Sequence, residues 1–269
     1  MDNGDSRFIK ATENNLSRLK DFLVSMINSH GKDTDWVNNV ANFEPPKGLN
    51  EDYVGEMSIA FKETGYDSAY QTLSQIEKES EGHEYTGTPQ KAEPKTSPWM
   101  LVFDEALGIQ VARYFESIGE TNKELLMKGH DVLIRAIYEG IPLKDTIESL
   151  GQIFTDYSYW RLETIARTNA SEAANWGRVS VLQNAEAVAG YQYEAILDER
   201  TTPLCQGLSG KYFSKDDPAM QELVPPNHYN CRSYLEPVFQ WDVPSRWGVA
   251  GDFVKDVPEE FRPAPEMRG

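Results

Sequence analysis

The sequence predicts a mainly α fold with a small β subdomain (α+β), in which a helical bundle is followed by a small Cys/His-containing β-loop module. Three observations predict it. Apolar residues recur at helical spacing from about residue 16 to residue 187, with capping residues between the runs. A period of two replaces that spacing after Gly190. Both cysteines of the chain and one of its four histidines then fall within a short stretch rich in Pro and Gly.

Leu16, Leu19, Leu23 and Met26 define the first helix, with Gly31 placed to end it. After the loop-like NNVANFEPPKGLNED, a second periodic run passes through Phe61, Tyr70, Leu73 and Ile76. Residues 1–82 therefore read as an N-terminal helical region. HEYTGTPQKAEPKTSP follows, almost without core-forming residues, and supplies a linker over 83–97. Ser97 and Pro98 cap a helix carrying Met100, Phe103, Leu107, Val111, Tyr114 and Ile118. Thr121 and Glu124 form a capping box for the next helix, which Gly140 and Pro142 stop. A third short helix uses Ile147, Leu150 and Phe154; a fourth runs over roughly 156–187. The short turns predict antiparallel neighbours.

The fourth helix has two stripes. Ala166, Ala170, Ala173 and Gly177 are small and invite close approach of another backbone. Arg167, Ser171, Asn175 and Arg178 make a polar stripe, which is either solvated or binds the loop downstream. YQYEAILDE, residues 191–199, alternates as a strand. Thr201 or Thr202 caps a short helix through Leu204 and Leu208, Gly210 turns, and KYF and CRSYLEPV supply two more strands. Main-domain signals run over 98–238. The arm 239–269, with its prolines, Trp241, Trp247 and Phe253, needs a surface to lie on, its own or a partner's.

The 269 residues are enough for one large or two modest cores, and 39% hydrophobic content is globular. No apolar run approaches the roughly 18–20 residues of a membrane helix, and MDNGDSRFIK lacks a signal pattern. The expectation is a soluble chain in a reducing cytosol with no membrane role. A net charge of −17 without a basic cluster disfavours direct DNA binding, which draws on Lys and Arg neutralising phosphates. It suits a protein partner.

Cys205, His228 and Cys231 are the soft ligands. A structural zinc site wants four, so Asp198, Asp216, Asp217 or water would complete it. A Cys205–Cys231 disulfide is a second reading. A third is two buried thiols with His228 hydrogen-bonded between loop and helix. Catalysis by a Cys/His/Asp set lacks a nucleophile motif, and no phosphate loop, dinucleotide fingerprint or His-Glu-x-x-His helix is present.

The run IARTNASEAANWGR … ILDERTTPLCQGLSGKYF … PPNHYNCRSYLEPV resembles the phage head morphogenesis family, the minor head proteins typified by the F protein of phage Mu. Arg167, Thr168, Asn175, Asp198, Thr201, Cys205, Leu208, Gly210, Pro226, His228, Cys231 and Arg232 fall on the family's pattern, over about residues 120–238. Thr202 and Ser233 stand where that pattern has cysteines, which removes two soft ligands.

The resemblance implies a non-enzymatic minor head protein in procapsid assembly, associated with the portal vertex inside the capsid. It implies partners among portal protein, scaffold and major capsid protein, a place in the virion after assembly in the host cytoplasm, and zinc on Cys205, His228 and Cys231. The N-terminal region and the arm are the candidates for those contacts. The alternative is a metal-binding or ADP-ribosyltransferase-like enzyme of phage or prophage origin, using Arg167 and a distant glutamate.

Overall fold

The computed structural model describes residues 3–30, 48–83, 107, 121–125, 127–129, 131, 132, 134–136 and 139–262. The linker beyond His83, the helix capped by Ser97 and the Gly31 cap lie outside them. The architecture is mainly helical with one small antiparallel sheet, as predicted.

Two compact units divide the chain, one of residues 1–60 and 110–166, the other of 61–109 and 167–269. In the first unit, helix α1 (Asn3–His30) and the start of α2 (Leu49–Glu79) accompany helical residues within 121–136 and the start of α3 (Leu143–Asn184). Leu16, Leu19, Leu23, Leu49, Leu125 and Phe154 form its apolar core. A polar thread crosses it: Asn15 Nδ2 donates to Asn122 Oδ1 at 3.2 Å, and Asn122 Nδ2 to Asn50 Oδ1 at 2.8 Å. Pairing among themselves removes most of the cost of burying such amides.

The third and fourth helices expected from the sequence are one 42-residue helix, α3. Nothing between Phe154 and Ala166 stops it, since the stretch has no Pro or Gly, and Thr155 returns its hydroxyl to Gly151 O at 3.0 Å inside the helix.

In the second unit, the later part of α2 packs on the later part of α3. Gly177 is required there: a Cβ on it would lie 2.0 Å from Gly65 O. Ser68 Oγ donates to Ala174 O at 2.7 Å, so the small stripe does admit a neighbouring backbone. The buried face of α2 runs through Phe61, Thr64, Ala69, Thr72 and Ile76. Tyr70 is exposed instead, one position on from Ala69 and so turned off that face.

The sheet has the order β2-β1-β3, with β1 Val188–Glu194, β2 Tyr212–Ser214 and β3 Tyr234–Phe239. Tyr191 faces Phe213 across one pair, and Tyr193 faces Leu235 across the other. β1 starts and stops earlier than its alternation suggests. Beyond Glu194 the backbone is irregular and Leu197 is 64% exposed, as the chain turns toward Asp198. Between β1 and β2 lies helix α4 (Pro203–Leu208).

Both sheet edges are covered. Tyr193 spends its N–H on Lys211 O and its carbonyl on Gly210 N–H, so Leu235 turns its carbonyl outward, where Arg178 Nη1 donates to it at 3.3 Å. On the other side, Gly248 N–H donates to Tyr212 O at 2.7 Å.

The described part of the C-terminal arm lies on its own unit. Trp241 stacks on Phe239 and His83 at 4.8 and 3.9 Å between ring centroids. Trp247 fills the space above Gly190, where a Cβ would meet it at 2.6 Å. A short helix α5 (Gly251–Val254) brings Phe253 edge-on to Phe213, and Ala250 and Val257 are buried.

Candidate functional site

Three segments of the second unit meet at Cys205. Thr202 caps α4, accepting Cys205 N–H at 3.4 Å, and Pro203 occupies the first turn. The capping hydroxyl belongs to Thr202, of the two threonines the sequence offered. Cys205 thereby points into the subdomain and is 1% exposed. The second segment, after the cis Pro225–Pro226 bond, carries His228 and Cys231 in a tight turn closed by Cys231 N–H donating to His228 O at 3.2 Å. The third is α3, which holds that turn from behind.

His228 Nε2 lies 3.2 Å from Cys205 Sγ, and the two sulfurs are 3.9 Å apart. His228 Nδ1 lies 2.9 Å from Tyr229 O, an acceptor, so Nδ1 carries a proton and Nε2 faces the sulfur. Backbone N–H groups of Asn227 and Ser233 donate to Cys231 Sγ. Hydrogen bonding from Cys231, and then from His228, pulls the Cys205 thiol below the usual thiol range against the effect of burial. Cys231 is pushed up as the donor to Cys205 and by burial, and His228 is raised by Cys205. The site therefore concentrates thiolate character on Cys205 beside an imidazole that favours its proton.

Around this centre stand Tyr193 and Asn227, whose part in it the sequence reading did not single out, and Ser233, one of the two positions where the family pattern has cysteine. Tyr193 OH lies 3.4 Å from Cys205 Sγ and accepts from Asn227 Nδ2 at 2.9 Å. Burial raises the Tyr193 phenol well above its ordinary value, so it is a fixed neutral donor. The Ser233 hydroxyl hydrogen-bonds Cys205. The alternation of the 191–199 strand puts Tyr191 and Tyr193 on one side, and both are buried; that the Tyr193 hydroxyl ends at the sulfur had no sequence signal.

Helix α3, which carries Arg167 and Thr168, does hold the downstream segment. Asn230 N–H donates to Thr168 Oγ1 at 3.0 Å, Asn175 Nδ2 donates to Ser233 O at 3.2 Å, and Arg178 reaches Glu236 at 3.2 Å. Arg167 is half-buried on the same helix. Asp198, Thr201 and Arg232 make a separate clasp at the rim. Arg232 donates through Nη1 and Nη2 to the two Asp198 oxygens at 2.7 and 2.6 Å, and Thr201 Oγ1 accepts Asp198 N–H at 2.9 Å. That fork holds the Asp198 carboxyl well below the usual range. Gly210 takes φ +76° at the turn into β2.

Cys205, His228 and Cys231 offer one donor atom each, all within 4.8 Å of one another. Tetrahedral zinc, with bonds of about 2.3 Å to sulfur and 2.0 Å to nitrogen, sets such atoms about 3.5–3.8 Å apart. The donor types therefore fit zinc with three protein ligands, and the widest separation would close by about 1 Å around the ion. Thr202 is committed to its cap, and Ser233 stands beside Cys205 as a hydroxyl. Asp198 belongs to the Arg232 clasp, and Asp217 accepts from Ala219 and Ala250 N–H groups. A cavity of about 600 Å³ lined by Thr202, Pro203, Gly207, His228 and Phe253 opens beside α4.

The stretch that carries this geometry matches the family model for Phage Mu protein F like protein over residues 128–236. That segment is what the chain shares with the family, and it is less than half of its length. The matched region takes in all of α3, strands β1 and β2, the first half of β3 and every ligand candidate. Curated relatives include the Mu-like prophage FluMu F protein of Haemophilus influenzae, 28% identical over 153 residues, which is 50% of this chain and 37% of the relative. The Putative capsid assembly protein F of Escherichia phage Mu is 28% identical over 150 residues, 48% of this chain and 34% of that protein. The matches thus cover little more than a third of the length of these relatives. No solved structure matches the chain.

Proposed function

We propose that this chain is a phage head-assembly protein, a minor head protein that acts during procapsid formation at the portal vertex, inside the capsid. The observation that carries the reading is the match of the F-like region, with α3 and the knot of segments that meet at Cys205, to a protein named for capsid assembly. The knot is a structural device in this reading. Its two thiols are 1% and 2% exposed, and its hydrogen bonds run from strand, turn and helix to one another, which suits a rigid docking module. Zinc on Cys205, His228 and Cys231 would tighten the same junction. The acidic charge favours protein partners, namely portal protein, scaffold or major capsid protein, over DNA. No helix of the described residues is long and apolar enough to cross a membrane.

Co-expression of the tagged full chain with portal, scaffold and major capsid proteins tests the partner assignment. Portal should copurify with the chain and be lost when Thr168 and Asn175 are both replaced by alanine. Capture of major capsid protein alone would move the chain away from the portal vertex.

A further inference from the structure

The chain has two cysteines, so any internal disulfide has one pairing to adopt. The fold sets their sulfurs 3.9 Å apart although 26 positions separate them, and both thiols are free. A disulfide needs about 2.05 Å, so each sulfur has roughly 1 Å to travel. Cys231 sits in a short turn and Cys205 on the first turns of a six-residue helix, so closing the bond asks about 1 Å of each of two short elements. The cavity beside α4 is lined by His228, whose ring touches Cys205, so solvent-borne small molecules come within one side chain of the sulfur.

From this juxtaposition we infer that Cys205 and Cys231 are a site of reversible oxidation, closing to an intramolecular disulfide when the chain meets a peroxide. The Cys205 sulfur attacks one peroxide oxygen and the O–O bond breaks. The departing hydroxide takes the thiol proton and leaves as water, and Cys205 becomes a sulfenic acid. The Cys231 sulfur then attacks the Cys205 sulfur, the S–O bond breaks, and the Cys231 proton leaves with that oxygen as a second water. Two thiols lose two electrons in total, and one peroxide gains them. The product ties α4 to the 227–233 turn covalently, where hydrogen bonds hold them otherwise. A metal on the same two sulfurs would exclude this bond, so the junction has two alternative staples. The inference is independent of the head-assembly reading, because it concerns the purified chain alone.

The test uses the full chain, freed of metal by a chelator and treated with hydrogen peroxide under native conditions. Intact mass and non-reducing peptide maps should show loss of two hydrogens, a Cys205–Cys231 cross-linked peptide and a monomeric chain. Dithiothreitol should restore both thiols. Cys231→Ser should instead accumulate oxygen on Cys205 with no loss of hydrogen. Two thiols surviving in the wild-type chain, oxygen adducts in place of the cross-link, or disulfide-linked dimers would each overturn the inference.

Discussion

Thr168 and Asn230 lie 62 positions apart, yet the Asn230 N–H donates to the Thr168 hydroxyl at 3.0 Å. This bond fastens the turn of His228 and Cys231 to helix α3. Thr168 is 8% exposed, so a valine there would leave the amide short of a partner in a place water reaches poorly. Thr168→Val should cost about 1–2 kcal/mol in urea denaturation, and Thr168→Ser should recover most of it. Equal losses for both variants would mean that the hydroxyl is not the anchor.

Asn230 itself has φ +58°, in the left-handed region. Asn and Gly tolerate it, whereas a β-carbon without a local hydrogen-bonding group raises its energy. Asn230→Gly should be near neutral and Asn230→Ala should lose about 1 kcal/mol, read from the same denaturation curves.

The contact of Gly177 with Gly65 O leaves no room for a methyl group. Gly177→Ala should destabilise the second unit by at least about 2 kcal/mol, because the helix would have to move off α2. The gain in helix propensity, about 1 kcal/mol, is too small to offset that. A variant as stable as wild type would show that the two helices part readily.

Much of this organisation is legible in the residues. The Thr-Pro start of α4, the inward pair Tyr191 and Tyr193, the left-handed Gly210 and the small stripe on α3 each have a local physical cause that the sequence carries. What resists reading depends on distant partners. The end of β1 is set by the clasp that Arg232 makes with Asp198, 34 positions away. The buried face of α2 follows from its closeness to α3, which makes Thr72 an inside residue and Tyr70 an outside one. Asn227 joins the site through Tyr193, a contact with no spacing rule.

The Arg232 fork fixes the sign of a pH effect. Asp198 titrates below its ordinary 3.8 in the folded chain, so its contribution is fully present above that value and is lost as pH falls through the depressed one. The difference in urea midpoint between wild type and Asp198→Asn should be constant from neutral pH to about pH 5 and shrink in stronger acid. A difference that changes between pH 6 and 8 would assign it to another group.

Ser233 hydrogen-bonds Cys205 and stands where the family pattern has a cysteine. Ser233→Cys should tighten zinc binding by at least about tenfold in competition with a chromophoric chelator, since a thiolate replaces a hydroxyl. Thr202→Cys should gain less and lose helix-cap stability. Equal gains at both positions would place the hydroxyl of Ser233 outside the coordination shell.

The head-assembly role is tested most directly by quantitative mass spectrometry of gradient-purified procapsids and mature particles from the phage that encodes this chain. The account predicts its peptides in both, at a few copies per head and in fixed ratio to the portal protein. Heads of normal composition that carry none of it, in either preparation, would contradict the account.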